Sequence, residues 1–333
     1  MRIGLAGVGR IGAFHADTLR HLAEVDSLVL ADTDAGRAQQ VADKLGVTAV
    51  ADTGALLGAG IDALVIAAAT DAHAPLILAG VEAGLPVFCE KPVAPDLAGT
   101  LAVVRRVTGS GVPVQIGFQR RFDAGYAAAR EALRSGRLGW LHTVRAGTLD
   151  PAPPPPEYVA ASGGLFRDMS VHDFDAIRWV TGREVVEVYA TGGNRGDGVF
   201  AAAGDVDTGS ALLTLDDGTL AQVSGTRYNP AGYDVRLELL GSADSVCVGL
   251  DDRLPLRSAE PGVAFPAGPA YPNFMERFRP AYGRELAAFI AVVNGRAAPA
   301  CTVDDALAAF MVAEACERSR RAHRPVRLEE LAP

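Results

Sequence analysis

A glycine-rich loop near the start of the chain constrains the fold more than any other feature. The segment Arg2–Ala6 has the composition of a β-strand, the next six residues read Gly7-Val8-Gly9-Arg10-Ile11-Gly12, and a helical pattern follows. In a βαβ unit, Gly7 allows the tight turn, Gly9 lets the backbone approach a pyrophosphate, and Gly12 lets helix and strand pack closely. The start of the helix offers free N–H groups to phosphates, so the loop predicts a dinucleotide site.

An acidic residue at the end of the second predicted strand indicates which dinucleotide binds. Asp32 follows Gly12 by 20 residues. A carboxylate there accepts hydrogen bonds from the adenine-ribose hydroxyls and repels a 2′-phosphate, which favours NAD over NADP. Arg37 lies one turn further on and keeps NADP as the alternative. Arg10 and Ile11 are predicted to contact the cofactor with the glycines.

The glycine loop and Asp32 leave the class of protein open. A methyltransferase that uses S-adenosylmethionine also pairs a glycine loop with a downstream acid, so a second site has to decide between the two classes.

The first 120 residues alternate between short apolar segments and longer helical patterns, which predicts a parallel sheet covered on both faces. The predicted strands are Ile3–Ala6, Leu28–Ala31, Ala63–Ala67, Pro86–Phe88 and Val114–Gly117. Helices are predicted at Asp34–Leu45 and Pro95–Val107, with Pro95 at the first helical position. We expect a doubly wound α/β domain, a Rossmann fold, in residues 1–120.

After Phe122 the pattern becomes that of an antiparallel sheet. A strand is predicted at Leu141–Leu149, and the turn Asp216-Asp217-Gly218 predicts a hairpin between Ser210–Leu215 and Thr219–Thr226. Two helical patterns close the chain. We therefore expect residues 121–333 to form an α+β domain for substrate binding and oligomerisation, with a large, mainly antiparallel open-faced sheet and with the last helices packing back on the first domain.

Composition excludes several classes of protein. The chain has 49% hydrophobic and 21% charged residues, as folded globular proteins do, and its formal net charge of -9 argues against a nucleic-acid partner. Its four cysteines are widely spaced and predict neither a metal site nor a disulfide framework. No segment approaches the roughly 18 apolar residues that span a bilayer, and the chain begins in a predicted strand, so we expect a cytoplasmic protein with no membrane partner.

A lysine follows the fourth predicted strand, within Cys89-Glu90-Lys91-Pro92. Ligands of open α/β sheets bind at the carboxyl ends of the strands, and the following proline restricts the backbone that carries Lys91. Glu90 either orients Lys91 or has a purely structural role, and an ordinary surface Glu–Lys pair at a turn is the alternative for both.

A second group of polar residues lies on a helix predicted to begin within Ser162–Asp175 and to run to about Val180. Asp168, His172 and Asp175 are spaced i, i+4 and i+7, which places them on one face. Val171, Phe174 and Ile177 form a separate apolar stripe. A histidine one turn from an aspartate fits an oriented acid–base pair.

The glycine loop, Glu90-Lys91-Pro92 and Asp168-x-x-x-His172, in this order and spacing, resemble the Gfo/Idh/MocA oxidoreductases over essentially the whole chain. Within that family the chain is most similar to the inositol 2-dehydrogenase subgroup. That similarity is carried by Gly117–Asp123, Asp150–Pro155, Gly204–Thr208, Gly232–Asp234 and Glu276–Phe278.

The resemblance implies that the chain oxidises a secondary alcohol of a cyclic polyol. The reaction it implies first is the oxidation of myo-inositol to 2-keto-myo-inositol. Lys91, Asp168 and His172 are the implied catalytic set. With those three, the implied polyol contacts are Arg120, Asp150, Asp175 and Tyr233. The implied cofactor contacts outside the glycine loop and Asp32 are Thr70, His73, Glu90 and Lys91, with Thr70 as a helix cap near the nicotinamide ribose. The large sheet is the implied interface of a homotetramer or dimer.

We hypothesise that His172 accepts the hydroxyl proton, that Asp168 supports its charge, and that Lys91 stabilises the developing alkoxide. Two segments depart from the family pattern, namely residues 69–73 and the loop 227–231 that leads to Tyr233. The second departure leaves scyllo-inositol or a related sugar as an alternative substrate. A dinucleotide-binding regulator without catalysis is the alternative from a different class.

Overall fold

The computed structural model describes residues 1–331, and this part of the chain divides into two compact units. The first unit is Met1–Gln119 with Pro280–Leu307. The second is Arg120–Arg279 with the chain from Ala308 onward.

A parallel sheet forms the centre of the first unit. Its strands within the described residues are β1 (Arg2–Ala6), β2 (Ser27–Ala31), β3 (Thr48–Ala49), β4 (Ala63–Ile66), β5 (Val87–Glu90) and β6 (Val114–Gly117). They lie in the order β3-β2-β1-β4-β5-β6, and every pair is parallel. This is the strand order of the doubly wound dinucleotide-binding fold, so the predicted fold of the first domain is confirmed.

The strands alternate with helices, three of which begin at an aspartate cap. The helices are α1 (Arg10–Leu19), α2 (Ala35–Leu45), α3 (Thr53–Leu57), α4 (Thr70–Glu82) and α5 (Leu97–Thr108). Asp34, Asp52 and Asp96 cap α2, α3 and α5 by accepting a hydrogen bond from a backbone N–H three residues on. The prediction that Pro95 is the first helical residue of α5 is wrong, because the cap at Asp96 starts the helix two residues later.

The core of the first unit is continuous from the sheet to a late part of the chain. Helix α10 (Phe274–Val293) supplies Leu286, Phe289 and Ile290, which pack with Leu5 and Phe88 of the sheet strands. All five are buried to 1% exposure or less. Burying a side chain of this size contributes about 1.5–3 kcal/mol, so residues far apart in the sequence stabilise one core.

A mainly antiparallel sheet forms the second unit. Its strands within residues 1–331 are β7 (Leu141–Leu149), β8 (Val185–Gly193), β9 (Thr208–Leu215), β10 (Leu220–Thr226), β11 (Asp234–Gly241), β12 (Ser245–Val248) and β13 (Val326–Arg327). They lie in the order β12-β11-β7-β10-β9-β8-β13, and only β7 and β10 among these pairs are parallel. The predicted open-faced sheet and the β9–β10 hairpin are confirmed.

Helices cover one face of this sheet. They are α6 (Ala124–Arg134), α7 (Pro156–Ala161), α8 (Val171–Thr181), α9 (Val199–Ala202) and the second part of α11 (Val303–Ala322). Val144, Leu213 and Leu237 point to the covered face and are fully buried, whereas Tyr189 and Leu212 point to the other face and are each 44% exposed. The alternation along each strand therefore separates a packed face from an open one.

Candidate active site

The glycine loop closes against the ends of β1 and β4. Gly7 has a φ of +90°, and a Cβ atom there would lie 2.5 Å from the Cα of Ala68. A Cβ atom on Gly12 would lie 1.9 Å from the carbonyl oxygen of Gly7, whereas one on Gly9 would meet no described atom within 4 Å. Gly7 and Gly12 are thus required by the packing of the protein, whether or not a ligand is bound. The open space at Gly9, at the start of α1, fits the close approach of a pyrophosphate.

We expect Gly12→Ala to destabilise the first unit and to abolish measurable NAD binding. The new methyl group would overlap a backbone carbonyl, and overpacking of this kind costs about 1–3 kcal/mol. Differential scanning fluorimetry and isothermal titration with NAD measure the two effects.

Gly9→Ala is the matched control, because the methyl group meets open space in the protein alone. This variant should keep the wild-type melting temperature and lose NAD affinity. Wild-type NAD affinity in both variants would contradict the assignment of the loop.

Asp32 ties the end of β2 to the glycine loop. Its Oδ2 accepts a hydrogen bond from the backbone N–H of Val8 at 2.7 Å, and its Oδ1 accepts one from the N–H of Asp34 at 2.9 Å. The residue is 8% exposed, and Nη1 of Arg37 lies 3.7 Å from Oδ1. A carboxylate accepts about four hydrogen bonds, so these contacts leave capacity for ribose hydroxyls.

Thr70 and His73 lie at the start of α4. The prediction that Thr70 caps this helix is wrong, because Ala69 occupies the N-cap and Thr70 is the first helical residue. His73 is 2% exposed, with Nδ1 at 2.7 Å from the carbonyl oxygen of Pro92 and Nε2 at 3.1 Å from that of Ala68. Both ring nitrogens thus contact the backbone, so His73 links the loops after β4 and β5.

Glu90 and Lys91 lie where β5 ends, and the Lys91–Pro92 peptide bond is cis. Oε1 of Glu90 is 2.6 Å from Nε2 of His15, a buried residue of α1. The ring of His15 packs edge-on against Phe88 at a centroid distance of 5.8 Å. The residue before Lys91 is therefore fixed to the helix that begins at the glycine loop.

In the second unit, Asp168 lies in a π-helical turn, Phe166–Ser170, that runs directly into α8. The predicted uninterrupted α-helix is therefore wrong at this point, because the wider turn changes the spacing between Asp168 and the residues after it. Asp168 and the neighbouring His172 are both partly buried. Asp175, by contrast, is fully buried.

A buried arginine binds Asp168. Nη2 of Arg227 donates to Oδ2 of Asp168 at 2.7 Å, and its Nη1 donates to Oδ2 of Asp150 at 2.9 Å. The hydroxyl of Tyr158 donates to Oδ1 of Asp168 at 2.9 Å. Burial alone would lower the pKa of Arg227, but attraction to Asp168 and Asp150 raises it above its usual value. The guanidinium is thus charged and shared between two carboxylates.

Two of the implied polyol contacts have partners inside the protein. Arg120 is 1% exposed and donates to Asp173 at 2.5 Å and to Thr148 at 2.8 Å. Both oxygens of Asp175 accept hydrogen bonds from Arg121, at distances from 2.5 to 3.2 Å. These pairs fix α8 to the chain that precedes α6, and the implied polyol contacts of Arg120 and Asp175 stay predictions.

Tyr233, the remaining implied polyol contact, lies just before β11 and is 5% exposed. Burial raises the pKa of its phenol well above the usual range, and the nearby Arg120 opposes that rise. Tyr126, on α6, is buried in the same way, and its pKa is raised to about 12. Both phenols therefore stay protonated and keep an O–H donor at neutral pH.

The structure places the glycine loop, Asp32, Thr70, His73, Glu90 and Lys91 in the first unit. It places Arg120, Asp150, Asp168, His172, Asp175 and Tyr233 in the second. In the first unit it brings Asp32 to the loop. In the second it brings Asp150 and Asp168 to one guanidinium.

Sequence reasoning did not assign roles to Arg227 or Tyr158. The only sequence signal for Arg227 was its position in the loop that departs from the family pattern. No spacing rule connects Arg227 with Asp168, which is 59 residues away.

The described residues offer neither a metal site nor a membrane span. Among residues 1–331, no group of three or more His, Cys, Asp or Glu side chains could hold a metal ion. No helix within the same residues combines the length and the apolar character that a bilayer crossing needs.

Comparison with known proteins identifies both parts of the chain. Residues 1–118 match the model of an oxidoreductase family with an NAD-binding Rossmann fold, and residues 126–247 match that of the GFO/IDH/MocA C-terminal domain. Myo-inositol dehydrogenase Hyg17 of Streptomyces leeuwenhoekii is 40% identical, over 96% of this chain and 97% of its own length. The predicted NAD cofactor is thereby confirmed.

Solved structures agree with these matches. A myo-inositol dehydrogenase from Corynebacterium glutamicum has a TM-score of 0.91 and 33% identity, with 100% of this chain and 99% of that chain covered. A scyllo-inositol dehydrogenase from Lactobacillus casei, with bound NAD(H) and scyllo-inositol, has a TM-score of 0.87 and 28% identity, with 99% of each chain covered.

Proposed function

The chain belongs to the Gfo/Idh/MocA oxidoreductase family, and we propose that it oxidises myo-inositol to 2-keto-myo-inositol with NAD. One observation carries this proposal. Asp168 lies on the turn that leads into His172, and its carboxylate accepts hydrogen bonds from Tyr158 and Arg227. The inositol dehydrogenases among its relatives support the choice of substrate.

The glycine loop fits NAD, since Gly9 leaves room for the pyrophosphate and Asp32 retains capacity for the adenine ribose. When bound, NAD accepts the hydride that leaves the carbinol carbon. We propose Gly7, Gly9, Arg10, Ile11 and Gly12 as contacts of the phosphates. Thr70, His73, Glu90 and Lys91 remain proposed contacts of the nicotinamide half.

His172 is the proposed general base, which takes the proton of the substrate hydroxyl at one ring nitrogen. Asp168 stabilises the imidazolium that results, because a fixed carboxylate nearby favours the charged ring. Lys91 is the proposed group that stabilises the negative charge of the developing alkoxide. The C–H bond breaks as the C=O bond forms, so the products are a ketone, reduced cofactor and one proton.

The test of this function is a panel of polyols and sugars with NAD and with NADP, followed by the absorbance of the reduced nicotinamide. We expect the highest kcat/KM with myo-inositol and NAD. Scyllo-inositol is the second candidate, because a relative of known structure is a scyllo-inositol dehydrogenase. NAD binding without turnover of any polyol or sugar would overturn the proposal and favour a non-catalytic regulator.

Asp32→Asn is expected to shift the preference from NAD towards NADP. The amide oxygen can still accept from Val8 and hold the glycine loop, whereas the bond from the N–H of Asp34 and the charge that repels a 2′-phosphate are lost. Loss of charge-assisted hydrogen bonds to the ribose should weaken NAD binding by about tenfold or more. Fluorescence titration with both cofactors measures the ratio, and Arg37→Ala in the same background should reduce the gained NADP affinity. An unchanged NADP-to-NAD ratio would exclude this role of Asp32.

We also propose that the open face of the second unit's sheet joins copies of the chain into a homotetramer or dimer, and that the enzyme is cytoplasmic. Tyr189 and Leu212 expose large apolar groups on that face, and Arg145 and Glu238 lie beside them. Apolar side chains bordered by charged ones are typical of a protein interface. The acidic composition and dispersed cysteines support the location.

A further inference from the structure

Arg227 occupies a position that the proposed mechanism leaves unexplained. It is 5% exposed and lies directly after β10, in the loop that departs from the family pattern. Its two terminal nitrogens bind two different carboxylates, those of Asp150 and Asp168. A guanidinium is a rigid planar fork, so these bonds fix the distance and the angle between the two acids.

The backbone holds the loop that carries Arg227 on both sides. The N–H of Asp150 donates to the carbonyl of Thr226 at 2.9 Å, and the N–H of Asn229 donates to the carbonyl of Asp150 at 2.7 Å. The N–H of Arg227 donates to the carbonyl of Asp207 at 2.8 Å. The base of the Arg227 side chain is thus fixed by main-chain bonds, one of them to a residue whose own carboxylate accepts two backbone N–H groups.

Two side chains hold the carboxylate of Asp168. Arg227 binds its Oδ2 and Tyr158 binds its Oδ1, so the carboxylate has a defined orientation in the π-helical turn. Without Arg227, Asp168 and Asp150 would lose a charged partner and would repel each other in a partly buried environment. The carboxylate would then turn towards solvent or towards another donor.

We propose that Arg227 is the positioning residue of this site, which sets the geometry of Asp168 and Asp150 and acts on the reaction only through them. The inference rests on the proposed function. Asp168 supports the charge on His172 during proton transfer, and Asp150 binds a substrate hydroxyl with the carboxylate that Arg227 orients. Loss of Arg227 should therefore lower kcat through Asp168 and raise KM through Asp150.

The experiment compares Arg227→Gln and Arg227→Lys with Arg167→Gln in the full-length enzyme. Arg167 is the residue before Asp168 and binds Glu314 at 2.7 Å, so its replacement removes an ion pair from the same turn without touching either acid. Melting temperature, NAD affinity, kcat and KM for myo-inositol are measured for each variant.

We expect Arg227→Gln to lower kcat by roughly 100-fold, the size of effect expected when charged hydrogen bonds to a buried group are lost. KM should rise as well, while NAD affinity stays within about twofold of wild type because the proposed NAD contacts are other residues. Arg227→Lys keeps the charge but not the fork, so it should recover part of the activity. Arg167→Gln should keep kcat within about threefold, as for a partly exposed pair.

A double-mutant cycle separates positioning from a structural role. In an Asp168→Asn background, Arg227→Gln should lower kcat by much less than it does in the wild-type background, because its main target is absent. An equal effect in both backgrounds, or a wild-type kcat in Arg227→Gln, would overturn the proposal. If Arg227→Gln does not fold, a wild-type kcat and KM in Arg227→Lys would overturn it instead.

Failure of the proposed function gives a different result. It shows as absence of turnover by the wild-type enzyme across the whole polyol and sugar panel. Failure of the Arg227 proposal shows as an active wild type whose Arg227 variants retain its kinetics.

Discussion

Replacement of His172 with alanine is expected to lower kcat by about 10²–10⁴-fold, the usual loss when a general base is removed. Initial rates of nicotinamide reduction with saturating myo-inositol measure the loss. NAD affinity should remain within about twofold of wild type, because the residues proposed to bind NAD are the glycine loop, Asp32 and their neighbours. A selective loss of turnover would place His172 in the chemical step rather than in cofactor binding.

His142→Ala provides a matched control for this experiment. His142 is exposed on β7 and contacts only Thr143 among its described hydrogen-bond partners. Its replacement removes an imidazole from the same unit and should leave kcat unchanged. If His172→Ala retained kcat within about tenfold of wild type, the general base would have to be another group.

Replacement of Arg120 with methionine is expected to destabilise the protein by about 3–5 kcal/mol, because it leaves the buried Asp173 without its charged partner. Asp173 is 1% exposed, and Arg120 and Thr148 supply its hydrogen bonds. For a unit of this size the melting temperature should fall by roughly 6–20 °C. Thermal denaturation followed by circular dichroism measures this shift.

Two further variants test the reason for the effect. Arg120→Met with Asp173→Asn removes both charges and should recover part of the lost stability, since no unpaired charge remains buried. Arg106→Met breaks the exposed pair with Glu82 and should change the free energy of unfolding by less than about 1 kcal/mol. An Arg120→Met protein with the wild-type melting temperature would contradict the structural role.

The same double variant decides what Arg120 does for the substrate. The resemblance implies a polyol contact, whereas the structure binds both terminal nitrogens of Arg120 to Asp173 and Thr148. If the double variant folds and keeps the wild-type KM for myo-inositol, Arg120 has only a structural role. A KM raised by an order of magnitude would assign the substrate contact to Arg120.

Much of the fold could be predicted because it depends on local patterns. Short apolar segments separated by helical ones predicted the parallel sheet, and the turn at Asp216–Gly218 predicted the β9–β10 hairpin. Errors arose at the exact residues where helices begin. The cap at Asp96 moves the start of α5 past Pro95, and the backbone at Ala69 takes the capping position that was predicted for Thr70.

The candidate site was harder to predict because the partners of its ion pairs lie far apart in the sequence. Helical spacing selected Asp168 and His172 as candidates but did not predict the π-helical turn at Phe166–Ser170, which depends on packing around it. Arg120 and Asp173 are 53 residues apart, and Arg227 and Asp168 are 59 apart. A sequence pattern does not show which acid is buried beside which arginine, so neither ion pair could be predicted, and the substrate roles that the resemblance implies for Arg120 and Asp175 stay predictions.

The most direct test of the central claim is hydride transfer from inositol deuterated at its ring carbons. We predict that the reduced cofactor isolated after turnover carries one deuterium at C4 of the nicotinamide, detected by mass spectrometry and NMR. Ketone should form in equal amount. Reduced cofactor without deuterium, or no reduction of NAD by any cyclic polyol, would contradict the account.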